Sequence, residues 1–144
     1  MLRFFVKFTG FLPYIIVFRT RTFFVNKKKQ SRKLKGPALI VSNHRSVWDY
    51  ALIMYTFFWN NFKTLAAEIL FERFGIFKFF LKILGCVKVD RKTYDFSFIK
   101  NGEDILKENK VLLTFPEGRI PDKNEEKPLE FRTSTVYIAL ETNV

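Results

Sequence analysis

At 144 residues the chain is large enough for one domain with a buried core and too short for two. Hydrophobic residues make up 48% of it, with 19 Phe among them, which excludes a disordered chain. The net charge of +11 belongs wholly to the first third: residues 1 to 48 hold eleven Lys or Arg and no acid, while residues 49 to 144 hold fourteen of each sign, so the N-terminus calls for an anionic partner.

Taken from the start, Phe4-Phe5-Val6 and the stretch from Phe11 to Phe18 are apolar runs flanked by basic residues, and a cluster from Lys27 to Lys35 follows. Cations beside apolar runs suit a phospholipid surface, whereas nucleic acid would need no apolar neighbours. Neither run reaches the ~20 uninterrupted apolar residues needed to span a bilayer, and Lys7 and Pro13 interrupt the longer candidate. Residues 1 to 25 are therefore expected to lie at a membrane interface, and residues 1 to 35 form a basic, apolar membrane-associating segment. A buried core helix or a signal peptide are the other readings, and the second lacks a small-residue cleavage site before the basic stretch. The single cysteine, Cys86, allows no internal disulfide and fits a reducing compartment.

Lys33 to Pro37 is a turn signal, and Ala38-Leu39-Ile40-Val41 behind it is a short apolar run of the buried parallel-strand kind. From Ser46 to Phe58, apolar residues recur at three- and four-residue steps, predicting a helix; Thr64 to Ala67 is a weaker strand. Residues 69 to 84 predict a helix with a broad apolar surface and a basic edge at Lys78 and Lys82. It serves either as a core helix with a solvated stripe or as a surface for lipid or an acyl chain. Val87 to Val89 reads as a strand ending in Asp90-Arg91. Phe98 to Glu108 reads as a helix, with Ser97 a candidate N-cap and Asn109 near its end. Val111 to Phe115 is the clearest strand, and Arg132 to Glu141 is helical again. This alternation predicts an α/β fold, a mostly parallel sheet covered by helices, in which ligands sit beyond the carboxyl ends of the strands. Neither a G-x-G-x-x-G turn nor a P-loop is present.

His44 is the only histidine, and it is followed by four residues and then Asp49. Imidazole titrates nearest neutral pH, and a nearby carboxylate can fix its tautomer and stabilise its protonated form. On a continuous helix, five residues turn through about 500°, leaving the two side chains roughly 140° apart. His44 is thus expected at or just outside a helix N-terminus, with Asp49 more than a turn inside.

Three blocks share this pattern of an apolar run stopping at a charged turn: Asn43-His44-x4-Asp49, Gly85 to Asp90-Arg91, and Phe115-Pro116-Glu117-Gly118-Arg119. In this order and spacing they resemble the glycerolipid acyltransferase family typified by lysophosphatidic acid acyltransferase. The resemblance implies transfer of a fatty acyl group from a thioester to the free hydroxyl of a lysophospholipid, 1-acyl-sn-glycerol 3-phosphate giving phosphatidic acid. His44 would be the base and Asp49 its partner; Arg91 and Arg119 would hold the acceptor phosphate, with Glu117 and Gly118 shaping the loop around the glycerol. It implies no metal and no cofactor beyond the co-substrate, acyl-CoA or acyl carrier protein. It also implies a protein associated with the cytoplasmic face of a membrane, with no nucleic-acid partner. In the third block Arg119 follows Gly118 directly, where the commoner pattern has Thr between them. The family's fourth block, V-P-I-x-P-V, has no counterpart before Val144, so the acyltransferase domain, residues 36 to 144, is expected to be C-terminally incomplete. The competing class is a non-catalytic basic protein that binds membrane or nucleic acid, a truncated and inactive fragment. Metal-dependent hydrolysis by His44, Asp49 and Asp90 is disfavoured, because one histidine and scattered carboxylates make a poor ligand set.

Overall fold

A computed structural model describes residues 1–26, 28–67, 71, 75–89, 97–125, 127 and 129–144. The elements are α1 (Leu2–Phe18), β1 (Ala38–Val41), α2 (Asp49–Thr56), β2 (Lys63–Ala67), α3 (Gly75–Leu84), β3 (Cys86–Val89), α4 (Ser97–Lys107), β4 (Val111–Thr114) and α5 (Ser134–Thr142). Asp90 and Arg91 lie outside the described residues, as does most of the chain between 68 and 74 that was expected to begin the helix over 69 to 84.

The four strands form one parallel sheet in the order β1-β4-β2-β3. Successive side chains of a strand point to opposite faces, and a central strand covered on both faces must be apolar throughout. β4 is buried at every residue and apolar up to its last, Thr114. Val111 and Leu113 pack with Met54 of α2 and with Phe62, while Leu112 packs on the other face with Ile105 and Leu106 of α4 and Ile138 of α5. Burying each such leucine stabilises the fold by about 1.5–3 kcal/mol. The topology matters for function: since β4 is inserted between β1 and β2, the chain segments leaving β1 and β4 emerge side by side at the carboxyl edge.

Three helix starts differ from expectation, two of them for a visible local reason. α2 begins at Asp49, so Asp49 is the first helical residue and does not lie a turn inside; the preceding residues form a turn on its carboxylate. α4 takes in Ser97 as its first residue. Arg132 stays outside α5 because its backbone N–H is bonded to Pro116 O at 2.9 Å.

α1 packs against the domain. Gly10 makes this possible, since a Cβ there would lie 2.0 Å from Tyr55 Oη, and next to it Tyr14 stacks on Tyr55 at 4.4 Å between ring centres. The turn after α2 leaves carbonyls without helical partners. Lys7, only 1% exposed, donates to Phe58 O at 2.6 Å and Asn60 O at 2.7 Å, and Arg3 Nη2 donates to Phe62 O at 2.8 Å. The expectation that the N-terminal cations face an anionic partner is thus corrected for these two: unsatisfied backbone acceptors have claimed them.

Burial pushes the Lys7 amine down to about 8 from its ordinary 10.5. Between these values the unfolded chain carries the proton that the folded chain has shed. Burying Lys7 therefore costs stability below about pH 8, and that cost is relieved as pH rises toward 10.5. The urea midpoint of the wild type, measured relative to Lys7→Met, should climb across this interval; a difference independent of pH contradicts the assignment.

Candidate active site

The short loop leaving β1 carries Asn43 and His44 to the carboxyl edge, and the Asp49 carboxylate organises it. One oxygen, Oδ2, accepts from Arg45 N at 2.7 Å and Ser46 N at 2.8 Å and lies 3.0 Å from His44 Nδ1. A carboxylate at a helix N-terminus is also favoured by the helix dipole. With Nδ1 donating to Asp49, the lone pair of His44 lies on Nε2, which no described residue hydrogen-bonds. The two side chains are half-buried, at 21% and 15% exposure, so the dyad is sheltered yet reachable.

The segment leaving β4 supports His44 from the neighbouring side. The Phe115 ring stacks on the imidazole at 4.2 Å between centres and 19° between planes. Glu117 is buried, and its Oε2 accepts from His44 N at 3.0 Å, joining the two loops. Its other oxygen, Oε1, is buried with no partner among the described residues. Gly118 turns the chain with φ of 74°, a conformation that glycine adopts without strain; a Cβ there would meet Arg132 Nε at 2.9 Å. A cleft of about 630 Å³ opens beside this turn, lined by Glu117, Arg119, Arg132, Phe98 and Ile99 at the start of α4, and Thr133 and Ser134 at the start of α5. Two helix N-termini and two guanidinium groups face it, with the carboxylates of Glu117 and Glu130 in the same lining.

His44, Asp49 and Glu117 thus converge, Gly118 forms the turn that follows, and Arg119 lines the cleft that Glu117 also borders. The Arg119 guanidinium is turned to Glu125, which it meets at 2.6 and 2.7 Å through two nitrogens. Arg132 and Phe115 have site positions that sequence reasoning did not assign. The stacking of Phe115 on His44 required the adjacency of β1 and β4, and Arg132 sits in the cleft through its backbone bond to Pro116. Cys86 opens β3 at the opposite edge of the sheet, and burial pushes its thiol up to about 11, which leaves it protonated and inert at neutral pH.

Among solved structures, the fold matches the crystal structure of the 1-acyl-sn-glycerophosphate (LPA) acyltransferase PlsC from Thermotoga maritima. The TM-score is 0.59 at 19% identity, over 99% of this chain and 68% of that one. A search of curated proteins found no match. Residues 21–144, which include the dyad, the β4 turn and the cleft, match the protein family described as Acyltransferase, and the chain belongs to that family.

Proposed function

We propose that this protein moves a fatty acyl group from a thioester donor, acyl-CoA or acyl carrier protein, to the free hydroxyl of a lysophospholipid, with 1-acyl-sn-glycerol 3-phosphate as acceptor and phosphatidic acid as product. The observation that carries this is the His44–Asp49 pair with Nε2 open, set on an acyltransferase fold. A hydroxyl is a weak nucleophile at neutral pH. His44 Nε2 takes its proton as the oxygen attacks the thioester carbonyl, and Asp49 stabilises the imidazolium that forms. Collapse of the tetrahedral intermediate expels the thiolate, to which the imidazolium returns the proton. The acceptor alcohol itself attacks, so no acyl-enzyme is needed.

The acceptor phosphate is assigned to the cleft, with Arg119 as its ligand there; Arg91, which lies outside the described residues, is the second candidate by its sequence block. Arg119→Ala should raise the acceptor Michaelis constant about tenfold, the loss of one charge-assisted contact, and leave the donor constant unchanged. An equal rise in both, or a rise for the donor alone, removes Arg119 from the acceptor site.

The same reading places the protein on the cytoplasmic face of a membrane. Among the described residues, no helix is long and apolar enough to cross one. α1 instead exposes Phe4, Phe5, Phe8, Leu12, Ile15 and Ile16, and behind it Lys28, Lys29, Arg32, Lys33 and Lys35 are all exposed. Each basic residue near an anionic surface is worth about 1 kcal/mol, screened by salt, whereas apolar insertion is not. The protein should therefore sediment with vesicles containing anionic lipid, and high salt should weaken this only partly. Replacing those five cations with Gln should abolish the salt-sensitive part; equal binding to neutral and anionic vesicles contradicts it.

A further inference from the structure

The Arg119 guanidinium is already filled by a carboxylate. Nη1 donates to Glu125 Oε2 at 2.7 Å and Nη2 to Glu125 Oε1 at 2.6 Å, the paired geometry by which arginine also grips a phosphate. Glu125 is held in place for this contact, because its Oε2 also accepts from Asp122 N at 2.7 Å, and the Asp122 carboxylate stands 3.9 Å from Arg119. The pair is exposed, at 48% and 35%, and exposed pairs add little to stability and exchange readily. Arg119 nevertheless lines a cleft that Glu117 also borders. A ligand carrying a phosphate answers the guanidinium as the carboxylate does.

We propose that Glu125 is an internal stand-in for the acceptor's phosphate monoester, and that the acceptor binds by exchanging its phosphate for the Glu125 carboxylate on Arg119. This rests on Arg119 being an acceptor ligand, as proposed above. The exchange makes Glu125 a specificity determinant. A phosphate monoester, with a charge of about −1.5 to −2 at neutral pH, displaces a carboxylate from the fork. A phosphodiester headgroup, with a single charge, competes with it on poor terms. Lysolipids with a bare phosphate are thereby favoured over those whose phosphate bears a second substituent.

The test is calorimetric titration of the intact protein with sn-glycerol 3-phosphate, which reads binding whether or not acyl transfer occurs. Glu125→Gln should bind it about threefold more tightly than the wild type, in keeping with the modest worth of an exposed pair. Asp122→Asn removes the same charge without freeing the fork and should change binding much less. In an Arg119→Ala background Glu125→Gln should add nothing, because the competition it relieves is gone. No tightening in Glu125→Gln, or the same tightening with Arg119 absent, overturns the exchange; the second result would mean general repulsion. Inorganic phosphate should bind more weakly than glycerol 3-phosphate. Equal binding of the two overturns the assignment to a lipid headgroup. Acyl transfer to lysophosphatidate separates the two proposals: transfer without tightening in Glu125→Gln leaves the function standing and removes the exchange. Absence of transfer removes the function, and the titration still decides the exchange.

Discussion

His44→Ala is expected to lower the turnover number by at least ~10², the range lost when a general base is removed, while circular dichroism and vesicle binding stay unchanged. The structure supports separating the two effects. Among the described residues the His44 side chain makes one hydrogen bond, to Asp49 Oδ2, and the Glu117 tie between the β1 and β4 loops runs to its backbone N–H, which alanine keeps. The variant therefore loses the lone pair on Nε2 and the stacking on Phe115, with the loop still held by Asp49 through Arg45 N and Ser46 N. Stopped activity with retained fold is the predicted pairing. Wild-type turnover in the variant would remove the base from the mechanism.

Asp49→Asn should cost nearly as much, again at least ~10² in turnover, and for a reason that geometry makes separable from folding. A single oxygen, Oδ2, serves all three N–H groups, so an amide oxygen in its place keeps every one of those hydrogen bonds. What disappears is the negative charge that stabilises the imidazolium as the acceptor proton arrives. Asp49→Ala would add loss of the loop, and its thermal midpoint should fall where that of Asp49→Asn does not. Near-wild-type turnover in Asp49→Asn would reduce Asp49 to a loop-holding residue.

Local pattern was enough to read much of the sheet. Val111 to Phe115 stands out as an apolar run, and Val111–Thr114 of it proves to be an inner strand, while Ala38 to Val41 has the observed bounds. Since both strands end in charged turns, the meeting of the His44 and Glu117 blocks at one edge was legible too. What escaped depends on contacts between residues far apart in the chain. Lys7 reads as one more N-terminal cation until the carbonyls of Phe58 and Asn60 are placed beside it. Glu117 reads as a loop carboxylate, and nothing local shows that its Oε2 holds His44 N some seventy positions earlier in the chain. Arg119 reads as a free phosphate ligand because Glu125 lies beyond the motif, in a turn whose shape the composition does not specify. Asp49 was misplaced by a turn for the opposite reason: helical periodicity over 46 to 58 hid a carboxylate that starts the helix by taking the preceding N–H groups.

The most direct test of direct acyl transfer follows radiolabelled acyl thioester through one incubation with the purified protein, first without and then with lysophosphatidate. Without acceptor, the label should stay in the thioester and none should become bound to protein. On adding lysophosphatidate it should move into phosphatidate, and with His44→Ala in place of the wild type it should not. Label on the protein before acceptor is added, or release as free fatty acid with no phosphatidate formed, would contradict a mechanism in which the acceptor hydroxyl, deprotonated by His44, attacks the thioester.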